Sequence, residues 1–90
     1  MKQLLDNATV IDVRTPEEFS GNHYPDAINV PLNEISQRLG ELKLMKLPIV
    51  AYCRSGNRSE MAVSIMKQNG LIKVYNGGGL SDMLQTINNN

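Results

Sequence analysis

A single cysteine stands in the chain, Cys53, at the head of the run Cys53-Arg54-Ser55-Gly56-Asn57-Arg58-Ser59. The five residues before it, Pro48-Ile49-Val50-Ala51-Tyr52, are apolar and partly β-branched and predict a short buried strand. The segment from Ser59 through Asn69 predicts a helix. A thiol placed between a strand end, a compact polar loop and a helix start lies where backbone N–H groups and the helix dipole favour an anion. Such surroundings lower a thiol pKa and hold the thiolate, the form that acts as a nucleophile. Arg54 and Arg58 add positive charge, with no acid before Glu60. Gly56 lets the loop turn through positive φ and approach a ligand with bare backbone. A lone cysteine is more often a small core hydrophobe, but an inert buried thiol calls for neither the two arginines nor the Ser/Gly/Asn loop. The expectation is a nucleophilic cysteine facing a small anionic substrate.

Composition narrows the remaining classes. Ninety residues form one domain, 1–90, with room for a single modest core. A formal net charge of zero gives no reason to expect nucleic acid or an anionic membrane as partner. One cysteine forms no internal disulfide, no Cys-x-x-Cys redox pair and no structural zinc cluster, so neither metal nor cofactor is expected. No apolar run approaches the ~20 residues of a membrane span. Met1-Lys2-Gln3-Leu4-Leu5-Asp6 lacks the apolar core of a secretory signal. A cytoplasmic location is expected, a periplasmic one staying open for a chain whose signal has been removed.

The elements that must position Cys53 alternate in type. Thr9-Val10-Ile11-Asp12-Val13 predicts a buried strand, and Thr15-Pro16-Glu17-Glu18 a helix start with a capping box and proline in the first turn. Gly21-Asn22 ends that helix. Ala27–Val30 predicts a second strand, stopped by Pro31. Asn33 is expected to cap a helix carrying Ile35, Leu39 and Leu42, weakened by Gly40. After the cysteine loop, a helix burying Ala62, Ile65 and Met66 stops at Gly70. Ile72–Tyr75 predicts the last strand and Asn76-Gly77-Gly78-Gly79 a flexible turn. Leu80, Met83, Leu84 and Ile87 follow the spacing of an amphipathic helix, and Asn88–Asn90 should fray. The pattern implies an α/β layer fold, a small mainly parallel sheet flanked by helices, with Cys53 at the carboxyl end of a strand, where such sheets carry their sites.

Several motifs, in order, make the chain resemble the rhodanese family of single-domain sulfurtransferases from about Ala8 to Met83. Ile11-Asp12-Val13-Arg14-Thr15-Pro16-Glu17-Glu18-Phe19 is similar to the first signature of that family. His23-Tyr24-Pro25-Asp26-Ala27-Ile28-Asn29-Val30-Pro31 is similar to the second, which usually has Gly where Asp26 stands. Cys53 to Ser59 resembles the active-site loop. Gly78-Gly79-Leu80-Ser81-Asp82-Met83 resembles the closing segment, where Trp is common at the Met83 position.

The resemblance implies a rhodanese-like fold with helices on both faces of the sheet, and a persulfide mechanism. Cys53 would take the outer sulfur of a donor such as thiosulfate and pass it to cyanide, a thiol or a partner protein. No general base is needed, since sulfane sulfur carries no proton, and His23 is the only histidine. The backbone N–H groups of Arg54, Ser55, Gly56, Asn57, Arg58 and Ser59 would cradle the persulfide. Arg54 would point outward to attract a dianionic donor, and for Arg58 an inward role bracing the loop against acids beneath it stands as an alternative. Asp12 and Arg14 are expected to tie the first strand to its neighbours, His23 to pack or cap, and Met61 and Met66 to serve the core or a helix face. Two other readings stay open: a Cdc25-like phosphatase or arsenate reductase, whose Cys-x5-Arg loop is one residue longer than this one, and a sulfur carrier or interaction module acting on a partner protein.

Overall fold

The computed structural model describes residues 2–88; of the expected fraying tail, Asn89 and Asn90 lie outside them. In chain order the elements are α1 (Lys2–Leu5), β1 (Thr9–Asp12), α2 (Pro16–Gly21), β2 (Ile28–Asn29), α3 (Leu39–Lys43), β3 (Ile49–Cys53), α4 (Asn57–Gln68), β4 (Val74–Gly79) and α5 (Leu80–Asn88). The four strands form one parallel sheet in the order β2-β1-β3-β4. Among the described residues no helix is long and apolar enough to cross a membrane, and no cluster of His, Cys, Asp or Glu could hold a metal ion.

β3 is covered on both faces, which explains its unbroken apolar run: all five of its residues are buried. The two-residue period of a strand then divides the core. Ile49, Ala51 and Cys53 join Ile11, Leu42 and the Ala62, Val63 and Met66 stripe of α4. Val50 and Tyr52 join Leu5 from α1 and Met83, with Phe19 of α2 and Leu80 of α5 packed against them. Helices therefore lie on both faces, as expected. Full burial of a side chain such as Ile49 or Met66 contributes about 1.5–3 kcal/mol by removal from water.

Locally encoded features appear where the sequence places them. The Thr15 hydroxyl accepts the Glu18 N–H at 3.2 Å and the Glu18 carboxylate accepts the Thr15 N–H at 3.1 Å, closing the capping box of α2. Gly70, just past the Asn69 cap of α4, takes φ +95°. Asp26 occupies the left-handed region at φ +66°, a conformation that a short polar side chain tolerates better than most.

Four expectations are corrected. Asn33 caps nothing; two 3₁₀ turns, Leu32–Glu34 and Ser36–Arg38, precede a five-residue α3. This segment is held by the complete burial of Ile35 and Leu42 rather than by a local start signal. β2 is limited to Ile28–Asn29 because it is an edge strand paired only with β1. α4 begins at Asn57 rather than Ser59, with Gly56 at φ +101° as its cap. Finally, β4 begins at Val74 and runs straight through the segment expected as a flexible turn. Gly78 and Gly79 pair with Tyr52 and Cys53, after a register break between Ala51 and Tyr52. A Cβ on Gly77 would stand 2.6 Å from the sulfur of Met83 and 2.9 Å from Val50 Cγ1. That glycine serves close packing, not mobility.

Candidate active site

Cys53 is the last residue of the central strand, and its side chain is 1% exposed. The chain then turns back through the left-handed Gly56 and enters α4 at once, so the unpaired N–H groups of a helix start lie over the sulfur. The Gly56 N–H donates to Sγ at 3.0 Å and the Ser59 N–H at 3.4 Å, with the Ser59 hydroxyl oxygen 3.5 Å away. Burial pushes the thiol pKa up. Hydrogen bonding from the Ser59 hydroxyl and from the N–H groups of Ser59, Ser55 and Gly56 outweighs burial, and the pKa falls below the ordinary value. The N–H groups of Arg54, Asn57 and Arg58 belong to the same loop and make no hydrogen bond to Sγ of the free thiol.

β4 clamps this loop from the side. Asn76 donates through Nδ2 to the Gly56 carbonyl at 3.1 Å, and its Oδ1 accepts the Ser59 hydroxyl at 2.7 Å and the Gly78 N–H at 2.9 Å. Ser59 Oγ also lies 3.1 Å from the Gly56 carbonyl. Any Cβ on Gly79 would collide with the carbonyl of Arg54. The same Gly79 N–H donates to Asp82 Oδ2 at 2.9 Å. Asn76 is the site residue that sequence reading missed. The signal available was its place near the carboxyl end of a strand following the cysteine helix, where polar side chains converge on the site.

The two loop arginines separate. Arg58 donates to both carboxylate oxygens of Glu18, at 2.8 and 3.0 Å, so its guanidinium faces α2. The hydrogen bond from Arg58 holds the Glu18 carboxyl at about 2 against a smaller upward push from burial. Arg54 is exposed, and among the described residues no carboxylate pairs with it.

Asp12, the last residue of β1, and Arg14, two residues on, are both buried. Arg14 donates to Asp12 at 2.7 Å and to the Asn22 carbonyl at 2.6 Å, and the Tyr52 hydroxyl donates to Asp12 at 2.7 Å. They tie β1 to β3 and to the end of α2. His23 donates through Nδ1 to the Phe19 carbonyl at 2.8 Å and stacks on the Phe19 ring, a packed residue. Met66 is core, whereas Met61 stands exposed on α4. Beside Arg58, an apolar groove of about 310 Å³ runs between Val13–Thr15 and Pro31–Asn33. The larger depression, about 470 Å³, borders Asp6, Thr9 and Asp26 at the opposite ends of the strands and is lined by no residue of the cysteine loop.

Residues 1–82 match the rhodanese-like domain family. The chain is 41% identical over 69 residues to an uncharacterized Bacillus subtilis protein, YqhL, covering 77% of this chain and 54% of that one. It is 39% identical over 74 residues to the Escherichia coli thiosulfate sulfurtransferase PspE, covering 81% of this chain and 71% of PspE. The chain thus spans only about half of YqhL. Among solved structures, an Escherichia coli rhodanese with anions superposes with a TM-score of 0.77 at 36% identity, over 83% of this chain and 89% of that one.

Proposed function

The chain belongs to the rhodanese-like domain family, and on that premise we propose that it is a sulfurtransferase working through a persulfide on Cys53. The observation that carries this reading is the buried sulfur of Cys53 under the Gly56 and Ser59 N–H groups, with its pKa lowered. The thiolate attacks the outer sulfur of a donor such as thiosulfate. The new S–S bond forms as the donor's S–S bond breaks, and sulfite leaves with the electron pair. The acceptor thiolate or cyanide then attacks the outer sulfur of Cys53–S–S⁻, and the Cys53 thiolate leaves. Two half-reactions through a covalent intermediate predict ping-pong kinetics.

In this scheme the inner sulfur keeps the Ser55, Gly56 and Ser59 N–H groups, and the N–H groups of Arg54, Asn57 and Arg58 serve the outer sulfur. Arg54, exposed and without an acid partner, gathers the dianionic donor. Sulfur transfer is favoured over phosphoryl transfer on two counts. The loop has four residues between Cys53 and Arg58, too short to wrap a tetrahedral phosphate. The one arginine that could close such a loop is committed to Glu18.

Mass spectrometry of the reduced protein after thiosulfate treatment tests the proposal. A gain of one sulfur on Cys53, reversed by cyanide, is expected. No adduct on native protein would count decisively against it.

A further inference from the structure

A hydroxyl has one proton, and Ser59 has three places to put it: Asn76 Oδ1 at 2.7 Å, the Gly56 carbonyl at 3.1 Å and the Cys53 sulfur at 3.5 Å. The orientation of the Asn76 amide is settled by its neighbours. The Gly78 N–H can only donate, so Oδ1 faces it, and the Gly56 carbonyl can only accept, so Nδ2 faces that. With the sulfur protonated, the short contact to Asn76 claims the Ser59 proton, and the thiol S–H can donate to Ser59 Oγ. Once the thiol proton has passed to solvent, that arrangement aims an oxygen lone pair at a negative sulfur. Rotation about one C–O bond brings the hydroxyl proton to the sulfur instead. Asn76 Oδ1 keeps the Gly78 N–H and is not orphaned.

We propose that Asn76 is a positioning residue for the Cys53 thiolate, holding the Ser59 hydroxyl proton while the sulfur is protonated and releasing it to the sulfur on ionisation. Asn76 therefore opposes ionisation by the strength of its bond to Ser59, even as its bond to Gly56 steadies the loop. The inference rests on Cys53 reacting as a thiolate. Its test needs no sulfur donor, so it fails separately from the sulfurtransferase reading. The charged groups on the elements packed around the loop are Arg54, Arg58, Glu18, the Asp12–Arg14 pair, Glu60 and Asp82. None is altered in the variants below.

The experiment is the pH midpoint of Cys53 alkylation by iodoacetamide in the native chain, Ser59→Ala, Asn76→Ala and the double variant, with thermal unfolding as a check of folding. Ser59→Ala is expected to raise the midpoint by about half to one pH unit, the worth of a hydrogen bond to a charged sulfur less that of the neutral bond to Asn76 given up for it. Asn76→Ala should lower it in the native background and leave it unmoved when combined with Ser59→Ala. A midpoint that rises with Asn76→Ala, does not move, or moves equally in both backgrounds overturns the proposal and leaves Asn76 a loop clamp. Should Asn76→Ala not fold, Asn76→Asp keeps the acceptor for Ser59 and strengthens it. Its upward shift must then be larger with Ser59 present than in the Ser59→Ala background, and equal shifts overturn the proposal.

Discussion

Arg58 and Glu18, forty positions apart in the chain, are joined by a two-point ion pair at 2.8 and 3.0 Å. Glu18 is also the residue that closes the capping box of α2 by accepting the Thr15 N–H at 3.1 Å. A single carboxylate thus couples the start of one helix to the loop that carries the nucleophile. Fork-to-carboxylate geometry of this kind is rigid as well as favourable, which suits a residue that shapes the loop rather than one that reaches for substrate.

Arg58→Ala is therefore expected to lower kcat or thermal stability, with little change in KM for thiosulfate. Arg54→Ala should do the reverse, raising KM severalfold at low ionic strength with kcat nearly unchanged, because loss of uniform binding appears in KM. Salt should shrink the Arg54 effect by screening and leave that of Arg58 largely in place. Steady-state kinetics of both variants at low and high salt make the comparison. An unchanged KM for Arg54→Ala at low salt would remove its role in gathering a dianion.

The Glu18 carboxyl, lowered from 4.5 to about 2 by its bond with Arg58, gives a pH dependence of definite sign. A carboxylate with a depressed folded-state pKa contributes stability in full above its unfolded value and loses it as pH falls through the folded one. The native chain should lose this contribution between about pH 4.5 and 2, and Arg58→Ala should flatten that part of the curve. Chemical denaturation across the acid range reads the difference. Parallel curves for the two proteins would mean that the pair adds nothing.

Cys53→Ser should abolish thiosulfate:cyanide sulfurtransfer while the protein still folds. The smaller hydroxyl still fits beneath the Gly56 and Ser59 N–H groups but forms no persulfide. Activity above background in this variant would place the nucleophile elsewhere.

In the native protein the Cys53 thiol should titrate below its ordinary value, since its hydrogen bonds outweigh its burial. Sulfur uptake should accordingly rise with pH through a midpoint under about 8.5, the value of a free thiol. Iodoacetamide alkylation rates give the midpoint directly, and a midpoint at or above the free value contradicts the activation argument.

Gly79→Ala should impair activity more than folding. The added methyl would meet the Arg54 carbonyl, and relief requires moving either the loop or the end of β4. Overpacking of this type costs about 1–3 kcal/mol. Because the displaced backbone is the one that shapes the sulfur site, kcat should fall at temperatures where the protein remains folded. An unimpaired kcat would mean that the loop tolerates the shift.

The sequence by itself determined those features whose causes lie within a few residues of one another. Thr15 and Glu18 close a capping box across three positions, Gly70 supplies the positive φ that ends α4, and the apolar run Ile49–Tyr52 has the composition of a strand covered on both faces. The Cys53 loop was legible for the same reason, because its arginines, glycine and helix start are contiguous. Where local signals were weak, neighbours distant in the chain decided. The 3₁₀ turns before α3 follow the burial of Ile35 and Leu42, and β2 is short because only β1 lies beside it. The four residues Asn76–Gly79 carry every local mark of a flexible turn, yet pairing with Tyr52 and Cys53 makes them the end of a strand. Asn76 gains its place from partners seventeen and twenty positions earlier, Ser59 and Gly56. Arg58 could have faced substrate or scaffold on sequence grounds; its direction depends on Glu18, forty positions earlier, whose carboxylate binds both terminal nitrogens of the guanidinium and draws it toward α2, a contact no local signal announces.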